Sequence, residues 1–204
     1  MPTLDLPDCR LHYRDAGDGA PLLLIHGNFA SHQWWEPQFA APPAGRRLIA
    51  PDLRGHGDSA WSQDGTYMMA NYIYDLAQLV HQQAMAPVTI VAHSLGTIVA
   101  YTALRDFQLD RPGVKVPLLI TVGSPLGAHQ VKARIGPPWA VPGNVADWSN
   151  YYDKGDPVTL GRALARDFAV GISDHVVNNQ TTNGHSIEGY LDEAQIVAKL
   201  AAVL

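Results

Sequence analysis

The segment Ala92-His93-Ser94-Leu95-Gly96 sets a hydroxyl between small residues. It follows the apolar run Val88-Thr89-Ile90-Val91 and opens a helix-like stretch from Thr97 to Leu104. A strand, a sharp turn and a helix in that order lift a serine Oγ clear of a sheet as an exposed nucleophile. The positions two before and two after the serine must be small, because backbone crowds them. Gly96 meets that demand, and Ala92 adds one methyl. The turn also puts Ser94 near a helix N-terminus, where free N–H groups favour developing negative charge. A serine hydroxyl is a weak nucleophile alone. It needs an imidazole to take its proton and a carboxylate to hold that imidazole. Asp156 stands in Tyr152-Asp153-Lys154-Gly155-Asp156-Pro157-Val158, after a strand candidate, and His185 in Asn183-Gly184-His185-Ser186, before the last helical segment. Both fall where open α/β sheets present their ligands, at strand C-terminal ends. Asp153 is the nearest rival acid, Asp174 a weaker one, and Asp147 comes too early. His175 is the rival base, but its strand-like surroundings read as structural. Ser124 precedes a proline and lacks the small-x-Ser-x-small frame.

The elements that must position these groups alternate between strand and helix. Thr3 to Asp15 reads as two short strands around a turn at Pro7-Asp8. Leu22 to Ile25, Leu48 to Ala50, Val88 to Ala92 and Val116 to Val122 are continuous apolar runs, as strands buried on both faces should be. Ser149 to Tyr152 is a weaker strand. Helices are predicted near 32–40, 70–85, 95–107 and 158–167. A last helix from Ile187 to Leu204 puts Ile187, Leu191, Ala194, Val197, Ala198 and Ala201 on one face, with Ser186 as its cap. The pattern predicts an α/β fold with a mostly parallel sheet and helices on both faces. Pro125 to Asp147, rich in proline and glycine, is predicted to be an irregular loop.

Several segments together resemble the α/β-hydrolase superfamily, over nearly the whole chain. His26-Gly27-Asn28-Phe29 resembles its oxyanion loop after the third strand. Asp52-Leu53-Arg54-Gly55-His56-Gly57-Asp58-Ser59 resembles the loop after the fourth strand in epoxide-hydrolase and esterase relatives. Ala92 to Gly96 resembles the nucleophile elbow in the alanine-first form of small bacterial lipases. Gly123-Ser124-Pro125-Leu126-Gly127 resembles the loop after the sixth strand, Asp156-Pro157-Val158 the acid loop, and His185 the histidine loop. The resemblance implies a hydrolase of ester or similar acyl bonds, with a Ser94, Asp156, His185 triad. Its oxyanion hole would use the backbone N–H of Leu95 and that of Asn28 or Phe29. Many relatives carry a helical cap after the sixth strand. The short, proline-rich stretch here predicts a minimal cap or none, and an open site.

Composition narrows the remaining choices. A chain of 204 residues with 47% hydrophobic residues suits one buried core, so residues 1–204 read as a single domain. The net charge of −5 and the lack of a basic run argue against a nucleic-acid partner. No apolar run approaches the ~20 residues that span a bilayer. One cysteine, Cys9, cannot form an internal disulfide, which fits a reducing, cytoplasmic setting. No two of the nine histidines show a zinc-type spacing, and no phosphate-binding glycine loop appears, so no metal or cofactor is expected. His26, His93, Asp52, Arg54 and His56 read as local braces. Trp34 and Trp35 could line an acyl pocket or face the core, and Trp139 is a candidate for the site rim. The expected function is a carboxylesterase or lipase-like serine hydrolase acting on a small-molecule ester. The alternatives are another bond type on the same scaffold (thioester, amide, C–C or perhydrolysis) and a non-catalytic ligand-binding member. The complete triad weighs against the last.

Overall fold

The computed structural model describes residues 2–168, 171–179 and 181–202. Eight strands form one sheet: β1 (Thr3–Asp5), β2 (Arg10–Gly17), β3 (Ala20–Ile25), β4 (Arg46–Pro51), β5 (Thr89–His93), β6 (Leu119–Val122), β7 (Trp148–Asp153) and β8 (Ile172–Val177). Their spatial order is β1-β2-β4-β3-β5-β6-β7-β8. β1 and β2 pair antiparallel, β2 joins β4 antiparallel, and every other ladder is parallel. The continuous apolar runs have the cause anticipated for them. Successive side chains on a strand point to opposite faces. Leu23 and Ile25 enter one core with Ile90 and Trp148, and Leu22 and Leu24 enter the other with Trp35 and Tyr190.

The helices are α1 (Glu36–Ala40), α2 (Met69–Gln82), α3 (Leu95–Asp110), α4 (His129–Ile135), α5 (Ile187–Leu191) and α6 (Ala194–Ala201), with a 3₁₀ turn at His32–Trp35 before α1. Four expectations need correction. Residues 158–167 form turns, because Leu160 and Gly161 both adopt positive φ (56° and 59°), which a right-handed helix cannot contain. Residues 125–147 are not wholly irregular: α4 fits there because His129 to Ile135 holds no proline, and Gly136 ends it at φ 65°. Val131 and Ile135 of α4 pack on the core beside α3, and Arg105 donates to the carbonyls of Ile135 and Gly136. The sixth strand begins at Leu119, while Val116 makes only an isolated bridge to Val145. The last helix is two. Glu193 is extended (ψ 118°) and its carboxylate accepts from the Asn178 N–H at 3.2 Å, which interrupts the run. Ser186 stands at the start of α5 without a side-chain capping bond, and the end of the expected helix, 203–204, lies outside the described residues.

The parallel strands all run the same way, so the loops after them gather along one edge. His26 follows β3, Asp52 follows β4, Ser94 follows β5, Gly123 follows β6, Asp156 follows β7 and His185 follows β8. The sheet order reverses between β3 and β5, and a crevice opens at such a point.

Candidate active site

Ser94 links β5 to α3 at φ 52° and ψ −124°, a conformation that residues other than glycine rarely adopt. Bonds on both sides hold it there. Its N–H donates to the Val122 carbonyl at 3.1 Å, and its own carbonyl accepts from the Thr97 N–H at 2.9 Å and the Thr97 hydroxyl at 2.7 Å. Two glycines make room for the bend. A Cβ on Gly27 would stand 2.7 Å from the Ser94 Cβ, and one on Gly96 would stand 2.5 Å from the His26 carbonyl oxygen.

His185 Nε2 lies 2.8 Å from Ser94 Oγ, and His185 Nδ1 lies 2.8 Å from Asp156 Oδ2. Asp156 is buried. Burial alone would raise its carboxyl pKa. Hydrogen bonds from His185, from the Tyr190 hydroxyl and from the Val158 N–H (the last two at 2.8 Å) outweigh burial and hold it below the ordinary carboxylate value. An ionised Asp156 keeps a proton on His185 Nδ1 and leaves the Nε2 lone pair facing the serine hydroxyl.

Two side chains that sequence reasoning did not single out fix the histidine loop. Asn179 is buried, and its amide donates to the carbonyls on either side of His185, to Gly184 at 3.1 Å and Ser186 at 2.7 Å. Tyr190, on α5, serves Asp156 while its oxygen accepts the Asp153 N–H at 3.1 Å. Neither carried a sequence signal: Asn179 precedes His185, and Tyr190 is not among the residues of the predicted helix face. His93 is a local brace, as expected: Nε2 donates to the His185 carbonyl at 3.0 Å, and the two rings lie 4.7 Å apart. Burial, then repulsion from His185, lowers its pKa to about 3, so the ring is neutral.

The oxyanion loop is pinned by His26. Its Nε2 accepts the Leu53 N–H at 2.9 Å and its Nδ1 donates to the Gly27 carbonyl at 2.6 Å. Burial pushes its pKa down to about 4, which keeps that acceptor unprotonated. Asn28 follows, its side-chain oxygen 3.1 Å from His56 Nε2, and Phe29 adopts φ 57° with its ring 92% exposed. Leu95 is the first residue of α3, where a backbone N–H has no intrahelical acceptor.

The rival groups are occupied elsewhere. Asp153 accepts the N–H groups of Gly155 and Asn179. Asp174 accepts from Asn150, Leu164 and Ala165. Asp147 pairs with Lys199, and His175 stacks on Tyr151 at 4.6 Å. Ser124 shares a hydrogen bond with Thr97 at 2.8 Å. Trp35 is core, whereas Trp34 is partly exposed with its ring 5.8 Å from His93. Trp139 packs against the core beneath Lys132 and is not placed at the site rim. Among the described residues, His12, His32, Asp52 and Asp58 carry metal-type donor atoms within 4.8 Å of one another. The Asp52 carboxylate is nevertheless full: it accepts the His32 and Asp58 N–H groups and both histidine Nδ1 atoms. A carboxylate offers about four lone-pair sites, so this cluster is a brace that ties β2, β4 and the 3₁₀ turn together.

The model for the alpha/beta hydrolase fold matches residues 20–154. The chain belongs to the α/β-hydrolase fold family. That match ends before Asp156 and His185, which rest on the geometry above. Among curated proteins, the chain is similar to the non-heme chloroperoxidase CPO-A1 of Kitasatospora aureofaciens, 40% identical over 87 residues, 42% of this chain and 31% of that one. It is also similar to a soluble epoxide hydrolase of a Corynebacterium species, 36% identical over 97 residues, 48% of this chain and 34% of that one. The matches span less than half the length of these curated relatives. Among solved structures it resembles a carboxylesterase of Nitrososphaera gargenis, with TM-score 0.75 and 18% identity, over 99% of this chain and 98% of that one. An epoxide hydrolase variant from Bacillus megaterium gives TM-score 0.71 and 13% identity, over 98% of both chains. These structural likenesses carry the fold, and the family match leaves the activity and its bond specificity open.

Proposed function

We propose that this chain, acting as a single domain, is a serine hydrolase that cleaves carboxylic ester bonds of small molecules through an acyl-enzyme. The observation that carries the reading is the unbroken relay from Ser94 Oγ through His185 to Asp156, with both contacts at 2.8 Å. In this mechanism Ser94 Oγ attacks the carbonyl carbon as its proton passes to His185 Nε2. Asp156 stays ionised and stabilises the imidazolium. The oxyanion is held by the Leu95 N–H and that of Asn28 or Phe29, each such donor supplying roughly 2.7–4 kcal/mol of barrier lowering. His185 returns the proton to the departing alcohol. Water, deprotonated by the same nitrogen, then releases the acid and restores Ser94. No cofactor enters the scheme.

Among the described residues no helix is long and apolar enough to cross a membrane, and the lone Cys9 is free and buried. We read the setting as cytoplasmic from that cysteine usage. The test is hydrolysis of p-nitrophenyl esters from acetate to palmitate by the wild type and Ser94→Ala. Turnover that Ser94→Ala abolishes supports the reading. A short-chain optimum makes the enzyme an esterase, and a long-chain optimum makes it a lipase. Inactivity across the series, with serine labelling by a fluorophosphonate intact, moves the assignment to thioester, amide or C–C bonds. Absence of both turnover and labelling leaves a ligand-binding member.

A further inference from the structure

An open cavity of about 700 Å³ begins at the oxyanion loop and runs to the loop after β4. Asn28 and Phe29 form its near wall, next to Gly27, which touches Ser94. Trp34 closes the side toward His93. The far wall is Trp61, Tyr67 and Tyr72. Phe29 is 92% exposed and Trp61 is 77% exposed. Two large rings, Phe29 and Trp61, are left in water at one cavity whose lining starts at the residues after Gly27, and clustered exposed apolar surface marks binding sites. The cavity presents no free charge. Arg54 lies at its base, but that guanidinium is fully buried and bonded to Asp8 and Asp75. His56 is held between the Arg54 carbonyl and Asn28. A groove of about 760 Å³ between α2, α3 and α4 shares only Tyr67 with this one and reaches none of the site residues.

We propose that the groove between Phe29 and Trp61 binds an uncharged aromatic group of the substrate, so that aryl or arylalkyl esters are preferred over small aliphatic ones. The inference rests on the Ser94 reading for the word ester, but the groove's own occupancy does not. Aromatic rings gain from offset or edge-to-face contact beyond their area, and the rings of Phe29, Trp34, Trp61, Tyr67 and Tyr72 line the groove to supply it. The lining offers no unpaired charge to a carboxylate or ammonium on that group, since Arg54 is already bonded to Asp8 and Asp75.

The probe is 2-acetonaphthone, an aromatic ketone with no hydrolysable bond, titrated by ligand-observed NMR against the wild type and Trp61→Ala. Trp61 is largely solvent-exposed, so its truncation leaves the core intact. The expected result is a Kd raised roughly threefold to tenfold in Trp61→Ala. Turnover of ethyl phenylacetate or phenyl acetate, taken relative to that of ethyl acetate, should fall by a similar factor. Equal Kd values in the two proteins would overturn the groove assignment, as would equal losses on all three esters. If neither protein turns over any ester while the Kd still shifts, the groove stands and the ester reading fails.

Discussion

Asp156 Oδ2 serves two donors at once, His185 Nδ1 and the Tyr190 hydroxyl, both at 2.8 Å. That sharing makes the acid loop sensitive to single atoms. In Tyr190→Phe the carboxylate loses one bond and the Asp153 N–H loses its acceptor. Leaving a buried group unpaired costs about 1–3 kcal/mol. Urea unfolding should show that loss, and the Asp156 titration followed by carboxyl NMR should move upward, since one of the bonds holding it down has gone. An unchanged titration would mean Tyr190 is packing alone. Asp156→Asn keeps the shape but can present an N–H to His185, favouring the wrong tautomer. Turnover should fall by about 10⁴ with the fold retained, as circular dichroism can check.

The histidine loop depends on an element-to-element fit. Asn179 follows β8, clamps the carbonyls flanking His185, and rests against Gly189 on α5, where any Cβ would overlap its amide. Gly189→Ala and Asn179→Ala should therefore each lower kcat with little change in KM. The double variant should be no worse than the poorer single one, because both remove the same clamp. Additive losses would show two independent roles. This clamp also marks where sequence reading stops. The positions of Ser94, Asp156 and His185 along one edge of the sheet were legible, because each follows a strand or precedes a helix that local pattern reveals. Asn179 and Tyr190 were not, since their importance comes from contacts made only when β8 and α5 meet. The split between α5 and α6 was hidden for a like reason: the apolar face runs on through Asp192-Glu193, and the bond from Asn178 to Glu193 is non-local. At 158–167 the positive φ values of Leu160 and Gly161 defeated an otherwise helix-like run.

Two buried neutral histidines shape the stability of the whole molecule. His26 is lowered to about 4 and His93 to about 3, from an ordinary value of 6.5. Between those limits the unfolded chain binds more protons than the folded one, so stability is complete above 6.5 and declines as pH falls toward 4 and 3. Asp52 and Asp156, both held below the usual carboxylate value of 3.8, add a further loss as pH falls through their folded values. The urea midpoint should drop steadily from pH 7 to pH 4, and a flat profile would mean that these rings are not buried as neutral bases. Between β6 and β7 the chain forms only a 3₁₀ turn (Pro125–Gly127) and α4. The most direct test of the whole account is mass mapping after brief exposure to a fluorophosphonate. One adduct is expected, on the peptide carrying Ser94, formed several orders of magnitude more slowly in His185→Ala. An adduct on another residue, or labelling of Ser94 at an unchanged rate without His185, would contradict it.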